Sequence, residues 1–175
     1  MKRILALVSI VIMVCLLLIP SGTVFADQTY HSERLPVHSL VRSVYPLRNG
    51  VVVNIHTNGP VNYAVEEYIL NGAKPDTTYH LVRVFSDSLF PFAGLPLYTG
   101  FDLQTDKNGN GNCNLKALPA EIEPIIDMGF TTLHVTFVFI EGGNLSEIYP
   151  GVFAVFGGTQ AYATEETQIF LDVWK

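Results

Sequence analysis

Alternating oxygen-bearing side chains in the segment 106–112, DKNGNGN, are the first candidates for chemistry. Asp106, Asn108 and Asn110 occupy the first, third and fifth positions of a loop in which such oxygens can wrap a calcium ion. The twelfth position, where a calcium loop needs a bidentate Glu, is Ala117. An ordinary β-hairpin turn also requires Asn and Gly, because several of its residues take positive φ. The segment therefore predicts a hairpin turn, with a calcium site as the alternative.

The histidines have no spacing typical of a metal site. They are His31, His38, His56, His80 and His134. A blue-copper centre needs a His and a Met close behind a Cys, and Cys113 has neither within about ten residues. We expect solvated surface histidines, with a zinc site assembled by folding as the alternative, and we expect Cys113 to be a buried small hydrophobe.

Glu66 and Glu67 are the remaining candidates for acid–base chemistry. Adjacent residues of a regular strand point to opposite faces, so the two carboxylates could converge only at a β-bulge. Nucleophile motifs such as G-x-S-x-G and S-x-x-K do not occur in the sequence. A secreted enzyme with a site near Glu66 and Glu67 is therefore an alternative to a non-catalytic module.

The segment from Leu89 to Tyr98 is too apolar for an ordinary solvated loop. Its candidate binding residues are Phe90, Phe92, Leu95, Leu97 and Tyr98. Two prolines and a glycine within it are unfavourable inside a sheet. We expect these side chains to close one end of the domain, with an exposed recognition surface as the alternative.

Strands must position all of these residues. Residues 51–57 and 61–70 alternate in polarity and read as a hairpin, in which a three-residue loop pairs Ile55 with Tyr63 and Val53 with Val65. That register puts Glu67 towards the core, and a bulge at Glu66–Glu67 would restore the apolar phase.

Other strands are predicted at 78–86, 101–105, 112–116, 131–141, 152–156 and 168–174. A first strand is expected to begin near Val37, after a frayed polar segment 27–34. A short helix is predicted near 119–128. The predicted core consists of Val53, Ile55, Tyr63, Val65, Tyr79, Leu81, Leu133, Val135, Phe137, Phe139, Ile169, Leu171 and Val173.

A corner between strands connects Leu70 to Tyr79. Its residues Ala73-x-Pro75-x-Thr77-x-Tyr79 resemble the corner of fibronectin type III and immunoglobulin-like domains, with Ala73 in place of the usual Leu. The resemblance implies an all-β antiparallel sandwich of about eight or nine strands. It also implies that the Tyr79 hydroxyl bonds backbone near Gly72 to Pro75.

The N-terminus predicts export. Lys2 and Arg3 precede an apolar run, and small or aliphatic residues lead up to a cleavage site between Ala26 and Asp27. We expect a signal peptide at 1–26 and one domain at 27–175; an uncleaved membrane anchor is the alternative. A glycosylation sequon begins at Asn144.

The net charge and the cysteine content limit the classes of partner and of structure that the mature chain can have. The mature chain keeps eight basic and 16 acidic residues, for a formal net charge of −8, which disfavours nucleic acid and anionic membranes. A single Cys remains after cleavage, which precludes an internal disulfide. We therefore expect a secreted, non-catalytic module that has a binding or structural role with an extracellular partner or ligand.

Overall fold

A computed structural model describes residues 30–40, 45–57, 64–117, 128–130 and 132–170, with only the backbone described at several strand ends. The predicted signal peptide and all but the last residue of the predicted helix near 119–128 lie outside these residues. Tyr63, Leu171 and Val173 of the predicted core also lie outside them, and the side chain of Ile169 is not described.

The described residues form strands and contain no helix, which confirms the all-β prediction. The strands are β1 (Tyr30–Ser39), β2 (Asn49–Thr57), β3 (Ala64–Asn71), β4 (Thr78–Phe85), β5 (Pro96–Gln104), β6 (Gly111–Ala117), β7 (Thr132–Glu141), β8 (Asn144–Tyr149), β9 (Val152–Phe156), β10 (Thr159–Thr164) and β11 (Thr167–Phe170). Within the described ranges, no helix of a length and apolarity suited to crossing a membrane occurs.

All the strands join one curled antiparallel sheet. Its order is β6-β3-β2-β1-β10-β7-β4-β5-β9-β8, and β11 pairs with β7. Strands β5 and β6 are far apart in this order, yet they are joined by the short turn 105–110 and contact one another. The curl therefore brings β3 and β6 round towards β4 and β5.

The main core lies on the inner face of the curl. Alternate residues of β7 are buried there, as period-two patterning requires. Tyr68 on β3 makes edge-to-face ring contacts with Phe137 and Phe139 on β7, a strand that does not pair with β3. Seven predicted core residues are buried: Val53, Tyr79, Leu81, Leu133, Val135, Phe137 and Phe139. Ile55 and Val65 are half-buried.

The β2–β3 register differs from the prediction. Ile55 lies opposite Val65, rather than Tyr63, and the pairing runs from Asn49–Asn71 to His56–Ala64 without a shift. The bulge expected at Glu66–Glu67 is therefore absent from this described pair of strands. The expected bulge would have kept a carboxylate out of the core; instead, Glu66 is buried and an ion pair compensates its charge.

Three strand predictions were wrong or missing. Residues 30–34 belong to β1 rather than to a frayed end, because they pair along β2. Strands β8 and β10 were not predicted, and β8 is an exposed edge strand with weak alternation. The described chain thus has 11 strands rather than eight or nine.

Candidate functional site

A charged cluster crosses the interior of the curl. The guanidinium of Arg83 on β4 binds the carboxylate of Glu66 on β3 through two contacts, Nε to Oε1 at 3.0 Å and Nη2 to Oε2 at 2.9 Å. The Tyr68 hydroxyl donates to Glu66 Oε2 at 2.6 Å. Because β3 and β4 do not pair in the sheet, the ion pair links opposite walls of the core.

Strand periodicity places both charged residues inside. Glu66 shares its face of β3 with Tyr68 and Leu70, and Arg83 shares its face of β4 with Leu81 and Phe85. The side chain of Glu66 is 3% exposed, whereas that of Arg83 is 22% exposed. Since taking a charge out of water is costly, each partner depends on the other to stay inside.

In this cluster the Tyr68 hydroxyl is a hydrogen-bond donor and the Glu66 carboxylate is the acceptor. Burial, followed by the negative charge of Glu66, raises the pKa of Tyr68 well above its usual value, so its hydroxyl remains a donor. Both carboxylate oxygens of Glu66 accept hydrogen bonds from Arg83 or Tyr68. Because donors already occupy both oxygens, this bonding suits a binding or structural role better than proton transfer.

Glu67 takes no part in this cluster. In a regular β3 strand it points to the face opposite Glu66, and its side chain is half-buried. The two carboxylates therefore do not converge as the enzymatic alternative required.

Asn54 stands beside the cluster on β2. It lies directly opposite Glu66 in the antiparallel register, so the two side chains share the inner face with their Cβ atoms about 5 Å apart. It is 2% exposed. The predicted core residues Val53 and Ile55 imply that their strand neighbours Asn54 and Val52 face outwards. This was wrong, because Val52 is buried in the main core.

Sequence reasoning missed Arg83 altogether. The available signal was positional: Leu81, Arg83 and Phe85 alternate along a strand whose inner residues are apolar. A single Arg at an inner position of such a strand predicts a buried acidic partner.

The segment from Leu89 to Tyr98 contains both buried and exposed side chains. Phe90 is buried and its ring contacts those of Phe85, Phe92 and Phe130, while Leu89 is 86% exposed. The remaining candidates, Leu95, Leu97 and Tyr98, are half-buried. Contrary to the argument from proline, residues 96–98 belong to β5, with Pro96 as its first residue, a position that strands tolerate.

The corner around Tyr79 differs from its prediction in one respect. Tyr79 is fully buried as expected. Its hydroxyl lies near the side chain of Tyr162 and the backbone of Lys74, which both affect its pKa, but it makes no hydrogen bond of normal geometry with a described residue. Two threonines hold the corner instead. Thr105 Oγ1 donates to Lys74 O at 2.7 Å and accepts from Thr77 N at 3.0 Å, and Thr77 Oγ1 donates to Pro75 O at 2.8 Å.

The corner packs directly on the turn 105–110. Ala73 N donates to Gly109 O at 2.9 Å, and a Cβ on Gly109 would stand 2.0 Å from Ala73 O, which excludes any larger residue there. Asp106 Oδ1 accepts from the backbone N–H of Asn108 at 2.7 Å and of Asn110 at 2.9 Å. These bonds lower the pKa of Asp106.

The calcium site at this turn stays a prediction. Asn110 Oδ1 accepts from Gly72 N at 3.3 Å, so two of the three expected ligand residues already bind backbone amides. No group of three or more His, Cys, Asp or Glu side chains arranged to hold a metal occurs in the described part of the chain. A calcium-dependent rise of the melting temperature would support the site.

Two histidines each bind a carboxylate. His80 Nδ1 lies 2.7 Å from Asp102 Oδ1, which also accepts from the Tyr98 hydroxyl at 3.0 Å. His134 Nδ1 lies 2.9 Å from Asp87 Oδ1. Both are therefore oriented by a partner rather than merely solvated.

Cys113 is half-buried against the main core, opposite Tyr68. Burial raises the pKa of its thiol, which favours the protonated form over the reactive thiolate.

Comparison with protein-family models, with curated proteins and with solved structures gives no match for this chain. Its function must be inferred from its own geometry.

Proposed function

We propose that this protein is a secreted, non-catalytic module that binds a small molecule inside its curled sheet. The observation that carries the proposal is Arg83, a partly exposed charged side chain on the inner face. Its neighbours on that face, Leu81 and Phe85, are buried, whereas its side chain is 22% exposed. An accessible polar group among apolar walls is the usual composition of a small-molecule site.

The bonding of the cluster supports a non-catalytic module. Arg83 and Tyr68 already occupy both carboxylate oxygens of Glu66, and the raised pKa of Tyr68 keeps its hydroxyl a donor, so the cluster offers no free base. Cys113, the thiol nearest this cluster by register, is half-buried with a raised pKa. A secreted enzyme remains the alternative.

A β-sandwich arrangement of the sheet is the second part of this proposal. We infer that the two halves of the curled sheet face each other as in the sandwich of fibronectin type III domains. The ring contacts of Tyr68 with Phe137 and Phe139, and the Glu66–Arg83 ion pair, support this because they join strands from different halves.

Export is tested by mass spectrometry of the chain recovered outside the cells that express it. We expect a chain that begins at Asp27. A product that still carries residues 1–26 and stays with the membrane fraction would contradict secretion and support the anchor.

Binding is tested by native mass spectrometry of the protein purified without denaturant. We expect a fraction of the protein to carry one small molecule, which denaturation releases. The control is the paired variant Glu66→Leu/Arg83→Met, which removes the cluster while retaining side chains of similar size. Equal occupancy in the variant, or none in either protein, would contradict binding at the cluster.

A further inference from the structure

A cavity opens at the outer face of the sheet, where β3 ends and β6 begins. Its volume is about 280 Å³, and its lining within the described ranges consists of Ile69, Asn71, Asn110, Gly111 and Asn112. At about 30 Å³ for each water molecule, this space would hold roughly nine waters. The cavity is therefore large enough for one small ring compound.

Strand register places Ile69, Asn71 and Asn112 on one face. The first two lie two positions apart on β3, and Asn112 on β6 lies directly opposite Ile69. Leu70, between them on β3, points to the other face and is buried in the main core. The cavity therefore lies on the opposite side of β3 from the charged cluster, and it does not depend on the interior site proposed above.

The lining of this outer cavity is neutral and rich in amides. Its three asparagines come from the end of β3, the turn 105–110 and the start of β6, and Ile69 lies among them half-buried. Gly72 N donates to Asn110 Oδ1 at 3.3 Å, which fixes the orientation of this amide. An amide that is already held loses little conformational freedom on binding, so this part of the cavity is preorganised for a ligand.

Ions are poor ligands for the outer cavity. Glu67 lies two positions before Ile69 on the same face of β3, and the mature chain is acidic overall, so an anion would be repelled. A hard cation such as calcium favours carboxylate ligands, and none belongs to the described lining. The remaining class of ligand is a neutral molecule whose groups both donate and accept hydrogen bonds.

We propose that the outer cavity binds a neutral sugar ring. Each asparagine amide offers donors and an acceptor, and each sugar hydroxyl also does both, so the amides of Asn71, Asn110 and Asn112 match adjacent hydroxyls of one ring. Ile69 supplies an apolar surface for the C–H groups of the ring. A free sugar and the terminal residue of a glycan share this chemistry.

NMR titration of the backbone amide signals tests the binding and separates these two sources. The probes are glucose, galactose, mannose and N-acetylglucosamine, each as the free sugar and as its methyl glycoside, which imitates the terminal residue of a glycan. We expect at least one sugar to shift the signals of Asn71, Gly111 and Asn112 saturably. A methyl glycoside that binds at least as tightly as its free sugar indicates a glycan, and loss of binding on methylation indicates a free sugar.

Substitutions check that the amides make the contacts. Asn71→Ala and Asn112→Ala each remove one amide and should weaken binding of that sugar by about three- to tenfold, the value of one hydrogen bond. Asn112 is exposed on an edge strand, so its variant should keep the melting temperature of the wild type. The matched control Asn144→Ala removes an exposed asparagine at the other end of the sheet and should leave binding unchanged.

Three results would overturn the inference. The first is that no sugar shifts the signals of the cavity; shifts caused by calcium chloride alone would then identify a cation site. The second is that Asn71→Ala and Asn112→Ala bind the sugar as tightly as the wild type does. The third is that cyclohexanol, which has one hydroxyl on a ring of the same size, binds as tightly as the sugar, because the amides would then not select adjacent hydroxyls.

Discussion

Two fully buried tyrosines differ in the partner of their hydroxyl. Tyr68 donates to Glu66, whereas the Tyr79 hydroxyl makes no hydrogen bond of normal geometry with a described residue. We expect Tyr68→Phe to lower the free energy of unfolding by about 1.5–3 kcal/mol, the value of a hydrogen bond to a charged group. Tyr79→Phe should leave it unchanged or raise it.

Urea unfolding of both variants measures this difference. The two substitutions remove the same atom from equally buried rings, so each is the control for the other. Equal losses in the two variants would mean that Tyr79 makes the corner hydrogen bond that its sequence context predicts.

The His134–Asp87 pair predicts a pH dependence of stability. The hydrogen bond with Asp87 is the main cause that raises the pKa of His134; burial opposes it, and the charges of Asp87 and Glu166 add to it. Burial acts to raise the pKa of Asp87, but its bonds to His134 outweigh this and lower it. The contribution of His134 to the free energy of unfolding is therefore complete below pH 6.5, and it is lost as the pH rises through the raised pKa. The contribution of Asp87 is lost at the acid end, as the pH falls below 3.8 towards its lowered pKa.

We therefore expect the melting temperature to fall between about pH 6 and pH 8, and to fall less in Asp87→Asn. The comparison with this variant cancels the titration of the other histidines. An NMR titration of the His134 ring checks the cause directly. A His134 pKa at or below 6.5 in the folded protein would refute the account.

Among the elements, the corner between β3 and β4 is held by Thr105. Its hydroxyl bonds both Lys74 O and Thr77 N. Thr105→Val keeps the shape but leaves these backbone groups unpaired, and should lower the free energy of unfolding by about 1–3 kcal/mol. The control Thr78→Val, at an exposed position of β4, should change it by less than about 0.5 kcal/mol. Similar effects at both positions would show that the corner does not depend on Thr105.

Strands with a strong apolar alternation could be predicted from sequence. Strands that bury a charged residue beside an ion-pair partner could not. Strand β7 buries the four residues predicted from its alternation, Leu133, Val135, Phe137 and Phe139, and it also buries Val138 and Ile140 on its other face. The predicted register of β2 and β3 was wrong because local sequence patterning assigns a carboxylate to the solvent-facing side of a strand. Burial of Glu66 depends on Arg83, which lies 17 positions further along the chain and on a strand that does not pair with β3.

At the scale of the whole molecule, the class of fold followed from sequence, but the topology did not. Turn chemistry and alternation indicate strands, yet they do not specify that β1 pairs with β10 or that β11 pairs with β7. Such pairings depend on contacts between distant segments. The candidate site shares this property, since Asn54, Glu66 and Arg83 come from three strands and none belongs to a motif.

A double-mutant cycle between Glu66 and Arg83 tests most directly whether this ion pair crosses the core. Arg83→Met alone leaves a buried carboxylate uncompensated and should cost about 3–5 kcal/mol of the free energy of unfolding. Adding Glu66→Leu should recover much of that loss, which gives a coupling energy of about 2 kcal/mol or more. The loss of the Tyr68 bond cancels in the cycle. Losses that simply add would contradict the account, because Glu66 and Arg83 would then not meet inside the sheet.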